Sequence, residues 1–277
     1  MAKIGVFDSG YGGLTILDAI RRELPEYDYI YLGDNARAPY GTHSFDVIYR
    51  YTLEAVNYLI GKNCALIILA CNTASAKALR TIQQRDLPRI NEQMVNDKMV
   101  NVLGVIRPTV EAVPAITQTG HIGILATPAT VSSESYVLEL EKISRQLTVT
   151  QQACPMWVPL IEAGEHNSSG ADYFVEKYIR EILTKDPQID TLVLGCTHYP
   201  LLKEKIEKVA KHIGVIAQGD LVAQSLADYL SRHPEYTSQL SLNGSCTYLT
   251  TENADRFSQS ASQFLSSPIQ AEHINLE

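Results

Sequence analysis

"LIILACNTASA" (residues 66–76) and "LVLGCTHYPLL" (192–202) share one local plan: a short apolar run, a cysteine, then a threonine among small or polar residues. Apolar runs of this length, closed by small and hydroxyl-bearing side chains, have the character of buried strands in a parallel sheet. Each stretch therefore predicts a strand with a thiol at its carboxyl end, Cys71 in one and Cys196 in the other. In open α/β sheets that end of the strand is where ligands bind.

The pairing recurs one strand earlier. "KIGVFDS" (3–9) and "HIGILAT" (121–127) each carry a basic or imidazole residue, then Ile-Gly, apolar residues and a hydroxyl-bearing end. Helix-like segments alternate with these runs. Leu14, Leu17, Ile20 and Leu24 recur at helical spacing, and "FDVIYRYTLEAVNYLIGK", "TASAKALRTIQQ" and "ADYFVEKYIREILTK" read as further helices. The alternation predicts an α/β fold of two pseudo-symmetric domains, each a mainly parallel sheet flanked by helices, with the active site between them. The expected limits are 1–100 plus 213–277 for the first domain and 101–212 for the second. The tail returns to complete the first sheet.

The bulk properties exclude several classes. The chain has 277 residues, 45% of them hydrophobic and 19% charged, which is the balance of a globular protein. Its 23 basic and 31 acidic residues give a net charge of −8, which argues against nucleic acid as the main partner because phosphate binding needs a basic footprint. The start, "MAKIGVFDSG", is too polar for a secretory leader, and no apolar run is long enough to span a bilayer. Five scattered cysteines (Cys64, Cys71, Cys154, Cys196, Cys246) read as reduced thiols of a cytoplasmic protein.

Strand-end placement gathers Asp8, Ser9, Cys71, Asn72, Thr73, Thr127, Cys196, Thr197 and His198. Disulfide exchange normally uses a Cys-x-x-Cys pair, which this chain lacks. Cys196 and His198 alone do not make a zinc knuckle, so no metal is expected. A cysteine hydrolase would need one thiol and leave the other idle. Stereoinversion at carbon uses both: one sulfur removes a proton from one face and the other returns a proton to the opposite face.

That chemistry needs support groups. A free thiol titrates near about 8.5 and each pK unit of mismatch with the carbon acid costs about 1.4 kcal/mol, so pre-set donors must stabilise the carbanion-like state. Asp8 on the Cys71 side and His198 on the Cys196 side can hold or relay protons. Ser9, Asn72, Thr73, Thr127, Thr130 and Thr197 supply hydroxyls and amides for carboxylates, and the glycines of "DSGYGG" allow close backbone approach. Cys64, Cys154 and Cys246 read as core residues. "EAGEHNSSG", with Glu162, Glu165 and His166, reads as a solvated loop. A non-catalytic dicarboxylate-binding module would explain the hydroxyls and glycines but would give the paired thiols no task.

Taken together, "FDSGYGGL" (7–14), "GDNARAPYG" (33–41), "ACNTASA" (70–76), "GILATPAT" (123–130), "CPMWVPLIEAGE" (154–165) and "LGCTHYPLL" (194–202) closely resemble the glutamate racemase family. The resemblance implies cofactor-independent racemisation of L-glutamate to D-glutamate for peptidoglycan synthesis by a cytoplasmic homodimer. It implies Cys71 and Cys196 as the two catalytic bases, with Asp8, Glu162 and His198 assisting them. It also implies Asp8, Ser9, Tyr40, Gly41, Asn72, Thr73, Thr127, Thr130, Thr197 and His198 as substrate-binding positions. Aspartate racemases are the nearest alternative, and "APYG" and "CTHYPLL" favour glutamate. No pyridoxal phosphate is expected, since no lysine stands among the strand-end groups. Two features depart from the family pattern: "RINEQMVNDK" (89–98) is longer and more polar than the usual link, and Arg107 replaces a common acidic residue.

Overall fold

The computed structural model describes residues 1–94, 99–265 and 267–276. Among the described residues ten strands run β1 (Lys3–Asp8), β2 (Tyr29–Gly33), β3 (Cys64–Leu69), β4 (Asn101–Gly104), β5 (His121–Ala126), β6 (Thr148–Ala153), β7 (Thr191–Gly195), β8 (Gly214–Ile216), β9 (Cys246–Thr250) and β10 (Ala271–His273). They form two sheets, ordered β10-β9-β2-β1-β3-β4 and β6-β5-β7-β8, and every strand pair is parallel. The inner order β2-β1-β3-β4 of the first sheet repeats as β6-β5-β7-β8 in the second, so the two apolar-run-plus-cysteine motifs occupy equivalent strands, β3 and β7.

Both sheets are covered on both faces, which is why their central strands read as continuous apolar runs rather than alternating ones. β3 is buried along its whole length, as is β7. On one face of the first sheet Ile4, Val6, Tyr31, Leu66 and Ile68 pack with Leu14, Leu17 and Ile20 and with Val222, Leu226 and Leu230. On the other face Phe7, Leu32, Ile67 and Leu69 pack with Ile48, Val56 and Leu59. Each such aliphatic side chain contributes about 1.5–3 kcal/mol by leaving water. The second lobe repeats the scheme around Leu192 and Leu194 on one side and Ile122, Ile124 and Val193 on the other.

Sheet membership changes later in the chain than the sequence suggested. Residues 101–104 pair with β3, through Leu66↔Asn101 to Leu69↔Gly104, and so belong to the first sheet. Gly214–Ile216 pair with β7 and belong to the second. The chain thus crosses between lobes at Val105 and again at Ala217–Gln218. The expected helix "TASAKALRTIQQ" extends to Glu92 in pieces: Asn72–Lys77, Leu79–Thr81, a π-helical turn Ile82–Asp86, and Leu87–Glu92. Pro88 lacks an N–H and crowds the carbonyl four residues back, and the widened turn accommodates it. Of the atypical segment 89–98, residues 95–98 lie outside the described residues. Asn91 brackets its far side, bonding both the carbonyl and the N–H of Val100 at 3.1 and 2.9 Å. Arg107 is exposed and pairs with Glu111 one turn along its own helix at 2.7 Å.

Candidate active site

The carboxyl ends of β1, β3, β5 and β7 face one cleft between the lobes. In each sheet the chain leaves the first strand on one side and returns on the other, so each sheet has a topological switch point where two strand ends diverge. Asp8 and Cys71 flank one switch point, and Thr127 and Cys196 flank the other.

On the first wall, Cys71 follows β3 and caps the helix Asn72–Lys77, its sulfur accepting the Ala74 N–H at 3.4 Å. Ser9 Oγ lies 3.4 Å from the same sulfur. Burial, reinforced by the Asp8 carboxylate, pushes the Cys71 thiol up to about 12, against the opposing bonds from Ser9 and Ala74. A thiolate at Cys196 is felt there as well. Asp8 is wholly buried and accepts the Gly10 N–H at 2.9 Å and, from the opposite lobe, the Thr197 hydroxyl at 3.3 Å. Burial raises its pKa above the ordinary carboxylate value although His198 and these donors pull the other way.

The second wall mirrors the first. Thr127 follows β5 and caps the helix Pro128–Ser132, accepting the Thr130 N–H at 3.3 Å. Its hydroxyl lies 3.0 Å from that of Thr73 and 3.1 Å from that of Thr130, so three threonines from both lobes share one hydroxyl cluster. Cys196 follows β7, with its sulfur 4.0 Å from His198 Nδ1. The other ring nitrogen of His198 stands 3.1 Å from Glu162 Oε1. Burial opposes the imidazolium, but hydrogen bonds to Cys196 and Glu162 outweigh it and raise His198 to about 10. Phe264, from the later part of the chain, meets this ring at right angles, 5.6 Å between centroids.

Two glycines let the walls meet. A Cβ on Gly12 would fall 2.4 Å from both His198 Nδ1 and Thr197 Oγ1, and one on Gly41 would fall 2.9 Å from Thr127 Cβ. Next to Gly41, Tyr40 points its hydroxyl to Asp34, which also holds Arg37 at 2.7 Å and Thr251 at 2.9 Å. Arg37 in turn lies over the Tyr51 ring, 4.0 Å from its centroid. This fastening fixes the loop that carries Tyr40 and Gly41 to the cleft rim.

Of the residues singled out from sequence, Ser9, Tyr40, Gly41, Cys71, Asn72, Thr73, Thr127, Glu162, Cys196, Thr197 and His198 line the cleft. Asp8 and Thr130 stand behind the lining, both fully buried, and reach the cleft through Thr197 and Thr127. Glu162 belongs to the helix Trp157–Glu162 rather than to a solvated loop, while Glu165 beyond it is exposed. Cys154, read as core, lines the cleft too, alongside Pro155, Val158 and Pro159. It sits one residue past β6, so the strand-end rule applied to "TVTQQAC" would have found it. The same rule at β2 would have found Asp34. Among the described residues no three His, Cys, Asp or Glu side chains cluster as a metal site, and no helix is long and apolar enough to cross a membrane.

Residues 14–226 match the family model described as Asp/Glu/Hydantoin racemase. A glutamate racemase of Ruegeria sp. (strain TM1040) is 40% identical over 273 residues, covering 95% of this chain and 96% of that protein. The crystal structure of glutamate racemase isoform RacE1 from Bacillus anthracis superposes with a TM-score of 0.87 at 31% identity, covering 99% of this chain and 98% of that one. The glutamate racemase of Francisella tularensis subsp. tularensis SCHU S4, solved in complex with D-glutamate, gives 0.86 at 32% identity, covering 100% and 98%. Two parallel sheets with equivalent thiol-bearing strand ends, a match over most of the length and these relatives agree: the chain belongs to the glutamate racemases of the Asp/Glu/Hydantoin racemase family.

Proposed function

We infer that this chain interconverts L- and D-glutamate by passing protons through two thiols, without a cofactor. The observation that carries the reading is that Cys71 and Cys196, from equivalent strands of two sheets, line the same cleft. Starting from L-glutamate, the Cys196 thiolate takes the Cα proton and the C–H bonding pair stays on carbon. The carbanion then takes the proton of the Cys71 thiol at its other face. Cys71 is left as thiolate and Cys196 as thiol, and exchange with water or the reverse reaction resets them. The raised Cys71 pKa suits the donor role in this direction, because burial keeps that sulfur protonated.

The remaining groups have tasks in the same scheme. Imidazolium at His198, held by Glu162, is a proton source beside Cys196. Ser9 supports Cys71, and Asp8 sets the local field behind it while fixing Thr197. The hydroxyls of Thr73, Thr127 and Thr197 and the rim of Tyr40 and Gly41 supply donors for the two carboxylates, with Thr130 behind them and Asn72 in the cleft wall. The reading further places the chain in the cytoplasm, as a homodimer of two-lobed subunits divided at the two crossings described above, making D-glutamate for peptidoglycan.

Incubation with L-glutamate in heavy water tests it. The expected result is deuterium at Cα in both enantiomers, with far slower exchange into aspartate. A protein that binds glutamate and leaves its Cα protium in place, or that prefers aspartate, is not described by this reading.

A further inference from the structure

Asn72, the residue after Cys71, turns both ends of its side-chain amide away from water. Its Nδ2 donates to Gln218 Oε1 at 2.6 Å, and its Oδ1 accepts the Tyr136 hydroxyl at 2.6 Å. Gln218 Nε2 donates to that same Tyr136 oxygen at 2.9 Å. The three side chains thus close a ring with a single sense: amide to amide, amide to phenol, phenol back to the first amide. All three are buried, with Tyr136 at 0% and Asn72 and Gln218 at 2% exposure. Reversing either amide would set two donors or two acceptors face to face, so each orientation holds the other.

The ring joins three parts of the chain that lie far apart in sequence. Asn72 opens the helix that Cys71 caps in the first lobe. Tyr136 lies in the helix Ser135–Ile143 of the second. Gln218 stands where the chain crosses back between lobes, immediately before the helix Gly219–Arg232. Its Nε2 also reaches Thr109 Oγ1 at 2.8 Å and Val105 O at 3.2 Å, at the other crossing. Both interlobe crossings therefore meet at one glutamine amide. A buried polar network that is fully satisfied imposes a unique geometry, because every displacement strands a polar group away from water.

We propose that Gln218 and Tyr136 are positioning residues for the reaction: their ring with Asn72 fixes the Asn72 amide and the adjoining turn, and so aims the Cys71 sulfur across the cleft. Neither residue lines the cleft, and neither meets substrate. The proposal rests on the two-thiol reading for its catalytic consequence, but the ring's hold on Cys71 can be measured without substrate.

The test compares Tyr136→Phe and Gln218→Met with Thr109→Val. The first two break the ring, whereas Thr109→Val removes a Gln218 partner outside it. Tyr136→Phe lowers kcat about tenfold in both directions with KM changed less than threefold, and Gln218→Met lowers it at least as far. Thr109→Val keeps kcat within threefold of the parent even where its Tm falls. Equal kcat losses in Tyr136→Phe and Thr109→Val, or a Tyr136→Phe enzyme with lowered Tm and full kcat, would show plain packing and overturn the proposal. The second readout is the iodoacetamide alkylation rate of Cys71 relative to Cys196, followed by peptide mass spectrometry. Tyr136→Phe shifts that ratio at least threefold and Thr109→Val does not; an unchanged ratio sinks the proposal. If the parent does not racemise glutamate, the functional reading fails while the alkylation ratio still decides the ring.

Discussion

His198 faces Glu162 through one ring nitrogen at 3.1 Å and Cys196 through the other at 4.0 Å. A carboxylate, an imidazole and a thiol thus form a line ending in the cleft. Hydrogen bonds to Cys196 and Glu162 hold the imidazole charged despite burial, so a proton is kept beside the Cys196 sulfur. Glu162→Gln keeps the shape and removes the charge. His198 then titrates lower than about 10, and the basic limb of kcat/KM moves to lower pH with it. The stability linked to this histidine is whole below about 6.5, its unfolded value, and fades as pH rises toward 10. The variant's stability deficit should be greatest at and below about pH 6.5 and shrink as pH rises toward 10, with activity down about 10- to 100-fold. Chemical-shift titration of the His198 ring checks the direction.

Cys71→Ala and Cys196→Ala should each abolish racemisation, a loss of at least about 10²–10⁴-fold, with unfolding midpoints close to the parent's. Neither thiol can cover for the other, since each belongs to a different lobe. A single variant that kept substantial turnover would mean that one base suffices. Circular dichroism alongside polarimetry separates loss of chemistry from loss of fold.

Gly12→Ala puts a methyl 2.4 Å from both His198 and Thr197. The imidazole is pinned at both nitrogens and cannot simply swing aside, so the lobes must part. Activity should fall by more than tenfold, with kcat taking most of the loss. Gly41→Ala presses instead on Thr127, at 2.9 Å, and should act mainly on KM because the rim carries no proposed base. Steady-state kinetics in one direction distinguish the two patterns.

Asp28 is buried far from the cleft. Burial opposes its charge, but bonds from Ser241, Ser245 and Asn243 hold its carboxyl well below the usual range. Its unfolded counterpart titrates near about 3.9, so its contribution is complete above that value and is lost as pH falls toward the folded one. Asp28→Asn should therefore lower the urea midpoint at pH 7 and flatten its decline between about pH 5 and pH 2. A variant as acid-sensitive as the parent would assign that decline to other carboxylates.

The fold was legible where side-chain pattern and burial coincide. "CALIIL" and "TLVLG" are buried from end to end, and their continuous apolar character gave both the strands and their parallel setting. β10 was missed because it is a polar edge strand, held by backbone pairing with β9 that leaves no periodic trace. Domain limits drifted because strands at a crossing, such as Asn101–Gly104, carry no mark of the sheet they join. In the site, the cysteines and hydroxyls announced themselves at strand ends. Cys154 is the core residue it was read as, and its further place in the cleft wall went unread because a single buried thiol carries no other mark. Gln218 and Tyr136 were invisible, since their meaning lies in hydrogen bonds between segments 64 and 82 positions from their partners.

The first sheet takes its outer strands β9 and β10 from residues 246–273, after the whole second lobe has been threaded between. Phe264, from that same late stretch, shields the His198 ring. During synthesis the inserted lobe can collapse while its host still shows an open edge to the ribosomal surroundings. Catalytic competence therefore waits for residues 246–273, and a nascent chain stalled before them would hold both sulfurs yet lack the enclosure that makes them useful.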